Sequence, residues 1–540
     1  MRLGEAMGRS GEAMSVAVPV PGRPLDVLDG IVVLYLVLPV AIFLLGWLEP
    51  WAAVPSFLCL LFALKPLALT GRGHGSVPGL SGWQVAIAIT VGCAWTLAGG
   101  IGHWVFANAD WHIRDAVLHD LVSGGWPVGY GAEDGGPTLL RAPIGYYLPA
   151  ALVGKMAGLA AANAALAVWT AAGAALFLLQ VLSQVPRRLG AALASVAVIV
   201  SFSGLDAVGT VLRAPGAVAH WDVTRHLEWW AARYQYSSMT TQLFWVPNHA
   251  LGAWLGVGLL YRLRGEAAVD SLLALIVAAV ALWSPLAALG LVPFVLWRVF
   301  DTALRERSSR VFRPRVWVPA LAVGLVIAAY LTLDAGQIPR GWTLGGQGFG
   351  PAALAEDLWR QAEFFLLEAG LIGFAILTIH RSAAVALALC VLAILPVVRF
   401  GAANDFVMRV SIPSLAVLAI GACVALFAAR PPAEAAAASA RTNLRIKKVA
   451  LAGLLMVGAI TPLQEFARAA ALDPWPANRA ATLIDAACGI YPPHYVARLR
   501  GQPVEHLLKP PQALSAGQAG SEACANPALR LERRRTEDSR

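Results

Sequence analysis

The sequence predicts an all-α, polytopic integral membrane protein with about 13 transmembrane helices, each near the ~20 apolar residues that a bilayer requires. Three observations carry that expectation. Of 540 residues, 58% are hydrophobic and 14% charged, against about 25% charged in a soluble domain. Mean hydropathy is +0.65. Polar residues gather in a few long stretches between apolar runs, and the short loops are basic. A net charge of +9 therefore reads as membrane topology and not as nucleic-acid binding. Phosphate-binding glycine loops and a CxxC pair are absent.

In chain order, residues 1–30 form an N-terminal segment, Pro- and Gly-rich over its first 25 residues, with no cleavable signal peptide expected. Apolar runs at 31–48, 51–69, 83–106, 163–183, 189–203, 244–262, 270–284, 286–300, 316–333, 363–379, 382–398, 411–429 and 449–463 make up a transmembrane domain over 31–463. Pro285 splits what could be one long helix, and basic residues on both flanks require two crossings there. The loops 298–315 and 430–448 alone hold eleven Lys and Arg, which puts them and the N-terminus in the cytoplasm. That map needs 145–160 to be a peripheral helix with Lys155 reaching outward. It places loops 107–145, 204–243, 334–362 and 399–410, and the tail 464–540, outside. Cys59, Cys93, Cys390 and Cys423 fall in apolar spans as small hydrophobes. Cys488 and Cys524, in a tail outside the cytoplasm, are expected to pair.

The segment 108–150 organises the chain. On a helical wheel Trp111, Ile113, Val117, Leu118, Leu121 and Val122 form one face, and His112, Asp115, His119 and Asp120 the other, with Arg114 the exception. This reads as an interfacial helix that begins at an Asn108 or Asp110 cap and stops at Gly124-Gly125 and Pro127. Asp110 is a cap or a catalytic carboxylate at the membrane surface. Asp115 stands behind it. His112, Asp115 and His119 share a face that could hold a divalent cation, Mg or Mn, or orient a base. Glu133 and Asp134 are turn residues, whereas Arg141, beside the next helix, suits a phosphate. The second loop sets His220, Asp222, Arg225, His226, Glu228 and Arg233 among Trp221, Trp229, Trp230, Tyr234 and Tyr236. It reads either as an interfacial aromatic belt or as a sugar- or headgroup-binding surface. The third group is Arg399, Asn404, Asp405 and Arg409, where arginines on the outer side suit a phosphate at headgroup level. Glu368 is a buried intramembrane acid, by default functional or a pairing group.

Together these features resemble the GT-C class of membrane glycosyltransferases, with roughly a dozen spans, an acidic first outer loop carrying an interfacial helix, and a tail. The residue that carries the resemblance is Asp110, with Asp115 behind it; here the acidic loop follows the third span instead of the first. No WWD-type motif is present, unlike oligosaccharyltransferases. The resemblance implies sugar transfer on the outer face, from a polyprenyl-phosphate-linked donor to a glycan, lipid or protein acceptor. Asp110 or Asp115 would act as base, and Arg114, Arg141 or Arg409 would hold the lipid phosphate. Asp222, Arg225, His226, Trp229, Asn404 and Asp405 would line the acceptor or sugar. The expected location is the plasma (bacterial inner) membrane. A transporter or flippase of lipid-linked glycans would instead show broken helices with buried charges. A non-catalytic envelope-assembly protein is the third reading.

Overall fold

The computed structural model describes residues 25–514 apart from 68–79, 134–135, 219–221, 264–266, 307–313, 345–350, 402–403, 429–437, 478–480, 500 and 503. Asp134, His220, Trp221 and Cys524 lie outside the described residues, as does the side chain of Glu133. The protein is an all-α polytopic membrane protein. Among the described residues eight helices are long and apolar enough to cross a bilayer: Val27–Trp47, Pro50–Leu67, Leu159–Leu182, Leu189–Arg213, Pro285–Leu304, Pro351–Ile379, Asp405–Ala428 and Ser439–Ala471. Shorter apolar helices span Gly82–Ala98, Leu148–Ala157, Leu272–Trp283, Trp317–Leu331 and Ala383–Val397.

One of these is shorter than its apolar run. The run continues to 106, but the helix Gly82–Ala98 stops where Gly99, Gly100 and Gly102 follow. Gly100 takes φ +77°, and a Cβ there would lie 2.5 Å from the Phe106 carbonyl oxygen. Glycine alone tolerates both demands. The helix packs on Leu159–Leu182 through Gly92, where a Cβ would sit 2.9 Å from the Ala175 nitrogen. Small residues let the backbones meet, as is usual between membrane helices. Tyr35 stacks on Trp169 at 3.9 Å in the bundle core, and Trp169 stacks on Trp283 at 6.1 Å.

Each end of the bundle has its own lock. At one end Asp26 and Asp29 form a capping box on helix Val27–Trp47. Arg262, closing helix Pro247–Arg262, sets Nε 2.5 Å from Asp29 and a terminal nitrogen 2.6 Å from Asp26. At the other end the tail folds back onto the first long loop. Six short strands occur among the described residues: β1 Val128–Glu133, β2 Gly136–Leu140, β3 Arg340–Trp342, β4 Val398–Phe400, β5 Val496–Arg498 and β6 Gln512–Leu514. β1 and β2 form an antiparallel hairpin in the loop, flanked by β5 antiparallel to β2 and β6 parallel to β1. β3 pairs antiparallel with β4, joining the loops at 334–362 and 399–410. The tail also reaches the end of the first helix, where Glu49 N donates to Leu507 O at 3.0 Å and Lys509 N to Trp47 O at 2.9 Å. So residues 473–514 are not a separate appendage. Cys488 is disulfide-bonded, and Cys59, Cys93, Cys390 and Cys423 are free.

Helix Leu148–Ala157 runs beside helix Asp110–Ser123. Tyr147, before its first turn, hydrogen-bonds Arg114, and Lys155 in its last turn donates to Gly124 O. Its two ends are thus tied to the two ends of one neighbour.

The Arg262 lock generates a prediction. Arg262→Ala leaves two buried aspartates without their cation, which typically costs 3–5 kcal/mol. Thermal melts followed by tryptophan fluorescence should show a large drop in Tm. Adding Asp26→Asn and Asp29→Asn should return much of it, because the stranded charges are then gone.

Candidate active site

Helix Asp110–Ser123 has Ala109 at its N-cap and no side-chain cap there, so neither Asn108 nor Asp110 caps it. Asn108 instead braces the turn before it, its Oδ1 accepting from Asp110 N at 3.1 Å. Its amide donates to Phe244 O at 2.7 Å, and Trp111 Nε1 donates to the same carbonyl at 2.9 Å. The helix does not lie on a surface. Both faces are buried, including His112, Arg114, Asp115 and Asp120. The polar face is covered by the hairpin and the tail. His103, held at φ +60°, places Nε2 2.9 Å from Asp115 Oδ2 and Nδ1 3.0 Å from Trp475 O. Asp120 accepts from Tyr130 OH at 2.8 Å and from Leu483 N at 2.9 Å, with His119 Nδ1 3.0 Å away. Burial raises the Asp120 carboxyl above its ordinary range, against the pull of these donors.

Two expectations change here. Asp115 is buried against His103 instead of facing open space beside Asp110. The trio His112, Asp115 and His119 is not assembled, because His119 turns to Asp120 and Asp115 to His103. Among the described residues no three His, Cys, Asp or Glu side chains converge on a metal-sized site. His112 is held neutral, burial pushing its imidazole down against the pull of Asp115.

Asp110 differs from its neighbours. Its side chain keeps 38% of its exposure while Arg114 beside it keeps 3%. Arg114 donates Nε to Trp245 O at 2.8 Å, one terminal nitrogen to Asn248 Oδ1 at 2.8 Å and the other to Asp110 Oδ2 at 2.8 Å. Its fork is committed to the protein, so it positions Asp110 and is not left open to a phosphate. Arg141 commits its terminal nitrogens, although its Nε is buried without a partner. It donates to Leu331 O at 3.1 Å and to Pro493 O, while its backbone N donates to Tyr495 O. Burial pushes its guanidinium down. Arg409 remains. It lies in the electrostatic reach of Asp110, Arg114, Asp405 and Tyr495, 3.7 Å from Asp405 Oδ1, with its Nε buried and without a partner. Tyr147, His249 and Tyr495 complete the surroundings through Arg114 and Arg409. The structure thus brings Asp110, Arg114, Arg409 and Asp405 together and sends Arg141 to anchor the tail. Asn404, at φ +56°, donates to Arg233 O at 3.0 Å and braces the turn before Asp405.

The second loop is latched to helix Ile460–Ala471. Asp222 folds its own turn, accepting from Thr224 N and Oγ1 at 2.9 and 2.6 Å. The Arg225 carbonyl accepts from Gln464 and from Arg468. His226 is buried and stacks on Trp229 at 4.7 Å, leaving Trp229 40% exposed. Burial and then the Arg468 charge push the His226 imidazole down to about 3. Trp229 is the part of this group that an incoming ring can reach. Trp245 joins the two regions, since its carbonyl holds Arg114 and its indole donates to Glu465 Oε2 at 2.9 Å. A cavity of about 200 Å³ lies elsewhere, among Asp334, Gln337, Tyr491, Pro493 and Arg498, and Asp110 does not line it.

Sequence reasoning missed His103, Tyr147, His249, Tyr495 and Asp206. The last, in SFSGLD, carried the one available signal, an acid directly after an apolar run. No family model, no curated protein and no solved structure matches the chain.

Glu228 generates a pH prediction. It is buried and accepts from Ser238 N at 2.9 Å and Gln235 at 2.8 Å. Burial, then Asp206, push its carboxyl from an ordinary 4.5 up to about 8. Between those values the folded chain keeps a proton that the unfolded chain has released. Stability therefore falls as pH rises from 4.5 to about 8. Melting curves across that window should show a falling Tm, with a shallower slope in Glu228→Gln.

Proposed function

We propose that this protein is a membrane glycosyltransferase of the GT-C type, moving a sugar from a polyprenyl-phosphate-linked donor to an acceptor hydroxyl at the outer face. The observation that carries the reading is Asp110, a partly exposed carboxylate fixed by a buried arginine, with the uncommitted Nε of Arg409 in the same electrostatic neighbourhood. A base must reach the acceptor proton, and a cation must meet the charge that develops on the departing phosphate. In this reading Asp110 removes the acceptor proton, Arg409 binds the lipid phosphate, and Arg114 and Asp405 position them. Trp229 offers a face to the sugar or acceptor ring. The acceptor's oxygen forms the new glycosidic bond as the bond from the sugar carbon to the phosphate oxygen breaks, and the phosphate leaves on its lipid.

The topology that goes with this reading has thirteen crossings. They are the eight long helices, the short helices Gly82–Ala98, Leu272–Trp283, Trp317–Leu331 and Ala383–Val397, and Pro247–Arg262, with Leu148–Ala157 peripheral. The N-terminus is cytoplasmic, the tail is periplasmic or extracellular, and the membrane is the plasma (bacterial inner) membrane. A disulfide at Cys488 suits an oxidising compartment.

A second reading, a transporter or flippase of lipid-linked glycans, gains from one feature. Asp206 follows a helix break at 202–205, and Glu368 sits in a π-helical turn, so two buried acids meet on interrupted helices. Transporters place their coupling groups in such interruptions. Purified protein separates the readings, because an enzyme transfers sugar in detergent and a flippase needs a sealed vesicle.

Two measurements test the first reading. Asp110→Asn preserves shape while removing the base, so it should fold, reach the membrane and lose at least about 100-fold in transfer from polyprenyl-phosphate sugars. Unchanged transfer would remove Asp110 from the mechanism. For topology, Ala132→Cys and Ala437→Cys are made in a chain whose four free cysteines are replaced. An impermeant thiol reagent on intact cells should label position 132 and spare 437. The opposite pattern inverts the map.

A further inference from the structure

Asp206 and Glu368 belong neither to the Asp110 site nor to the aromatic surface of the second loop. Asp206 opens helix Asp206–Arg213, and Glu368 lies in the π turn Leu366–Gly370. Each keeps 1% of its exposure. Gly204 allows the approach, since a Cβ there would lie 2.7 Å from the Glu368 Cα. Leu205 N donates to Leu367 O at 3.0 Å and ties the two interruptions together.

Three of the four donors a chemist would look for are present. Ser203 and Thr461 hydroxyls donate to Asp206 Oδ2 at 2.7 and 2.9 Å. The Trp230 indole donates to Glu368 Oε1 at 2.6 Å. Asp206 Oδ1 and Glu368 Oε2 remain, buried and with no N–H or O–H of any other residue to meet them, while the two carboxyl groups lie within interacting reach of each other. Ionised carboxylates only accept. A hydrogen between them is the missing donor, and it also removes one of two like charges.

We propose that Asp206 and Glu368 form a proton-binding carboxyl pair, one proton held between Asp206 Oδ1 and Glu368 Oε2 where the broken helix meets the π turn. The other charged groups on the elements packed around the pair have partners of their own. Glu465 faces Arg468 at 2.6 Å, Asp357 faces Arg233 at 2.8 Å, and Glu363 faces Arg213. Glu228 is held by Ser238 and Gln235, and Tyr236 donates to Leu392 O. The partners that hold the pair itself, Ser203, Thr461 and Trp230, are all neutral. Release of the proton places two negative charges in one buried site, so proton occupancy decides whether helix Asp206–Arg213 and the π turn stay together. The proposal is independent of the sugar-transfer reading.

Infrared spectra of the purified full-length protein at neutral pH test it. Every sample carries Glu228→Gln, which removes a second protonated carboxyl from the spectrum. The parent should show a protonated-carboxyl C=O band that shifts in D2O, and both Glu368→Gln and Asp206→Asn should lose it. If the single variants do not fold, the double variant, an amide pair that supplies its own donor, takes their place and should lose the same band. A parent without the band overturns the proposal. So does a band surviving in either variant, which would give the proton to one group alone. Thermal stabilisation by sodium ions in a band-free parent would also overturn it, since a metal cation would then occupy the site.

Discussion

Arg114 is the interaction on which the polar end of the bundle around Asp110 depends. A guanidinium buried to 3% has to satisfy its donors locally, and here its planar fork reaches a main-chain carbonyl, an amide and a carboxylate on three different positions. Lysine, a point charge, cannot span that arrangement. The acceptors at Trp245 and Asn248 belong to the helices Met239–Trp245 and Pro247–Arg262, so the first loop is registered against the second by one side chain. Asp110 is what the fork presents at its open end. The carboxylate is therefore fixed without being enclosed, which is what a group acting on an incoming hydroxyl needs.

The interior holds its other charges in two distinct ways. Arg262 with Asp26 and Asp29, and Arg468 with Glu465, are matched pairs whose attraction offsets the loss of hydration. Asp206, Glu368 and Glu228 have no such cation among the groups that hold them. Their donors are hydroxyls, an indole, an amide and a backbone N–H. A carboxyl in that setting is cheaper neutral than charged. Asp206 and Glu368 sit where helices are interrupted, and Glu228 in the short 3-10 turn Leu227–Trp229.

The helical spans were legible because a bilayer imposes length and apolarity on each stretch locally. The fate of individual side chains was not, because it depends on partners far along the chain. Arg114, Arg141 and Arg409 look alike in sequence. The positions of Trp245 O and Asn248 Oδ1 determine that Arg114 is spent, and those of Leu331 O and Pro493 O that Arg141 commits its terminal nitrogens, while Arg141 and Arg409 each keep a buried Nε without a partner. Asp115 sits on a polar helix face that the wheel turns to water, yet His103 and Trp475 cover it, the latter 360 residues away. The strands that bring the tail there are three residues long, too short for an alternating pattern to register.

Trp245 makes the two polar regions neighbours in a mechanical sense. Its carbonyl is an acceptor for Arg114, its indole is a donor to Glu465, its ring lies edge-on to His226 at 4.9 Å, and the Arg468 guanidinium lies 5.9 Å over the ring. Glu465 shares helix Ile460–Ala471 with Thr461, whose hydroxyl holds Asp206. A continuous run of short contacts therefore leads from Asp110 through Arg114, Trp245 and that helix to the carboxyl pair. Continuity alone is position, not coupling. The element in the middle is one helix that holds the Trp245 indole through Glu465 and Asp206 through Thr461, about one turn apart, so both polar regions are anchored on the same short stretch of chain.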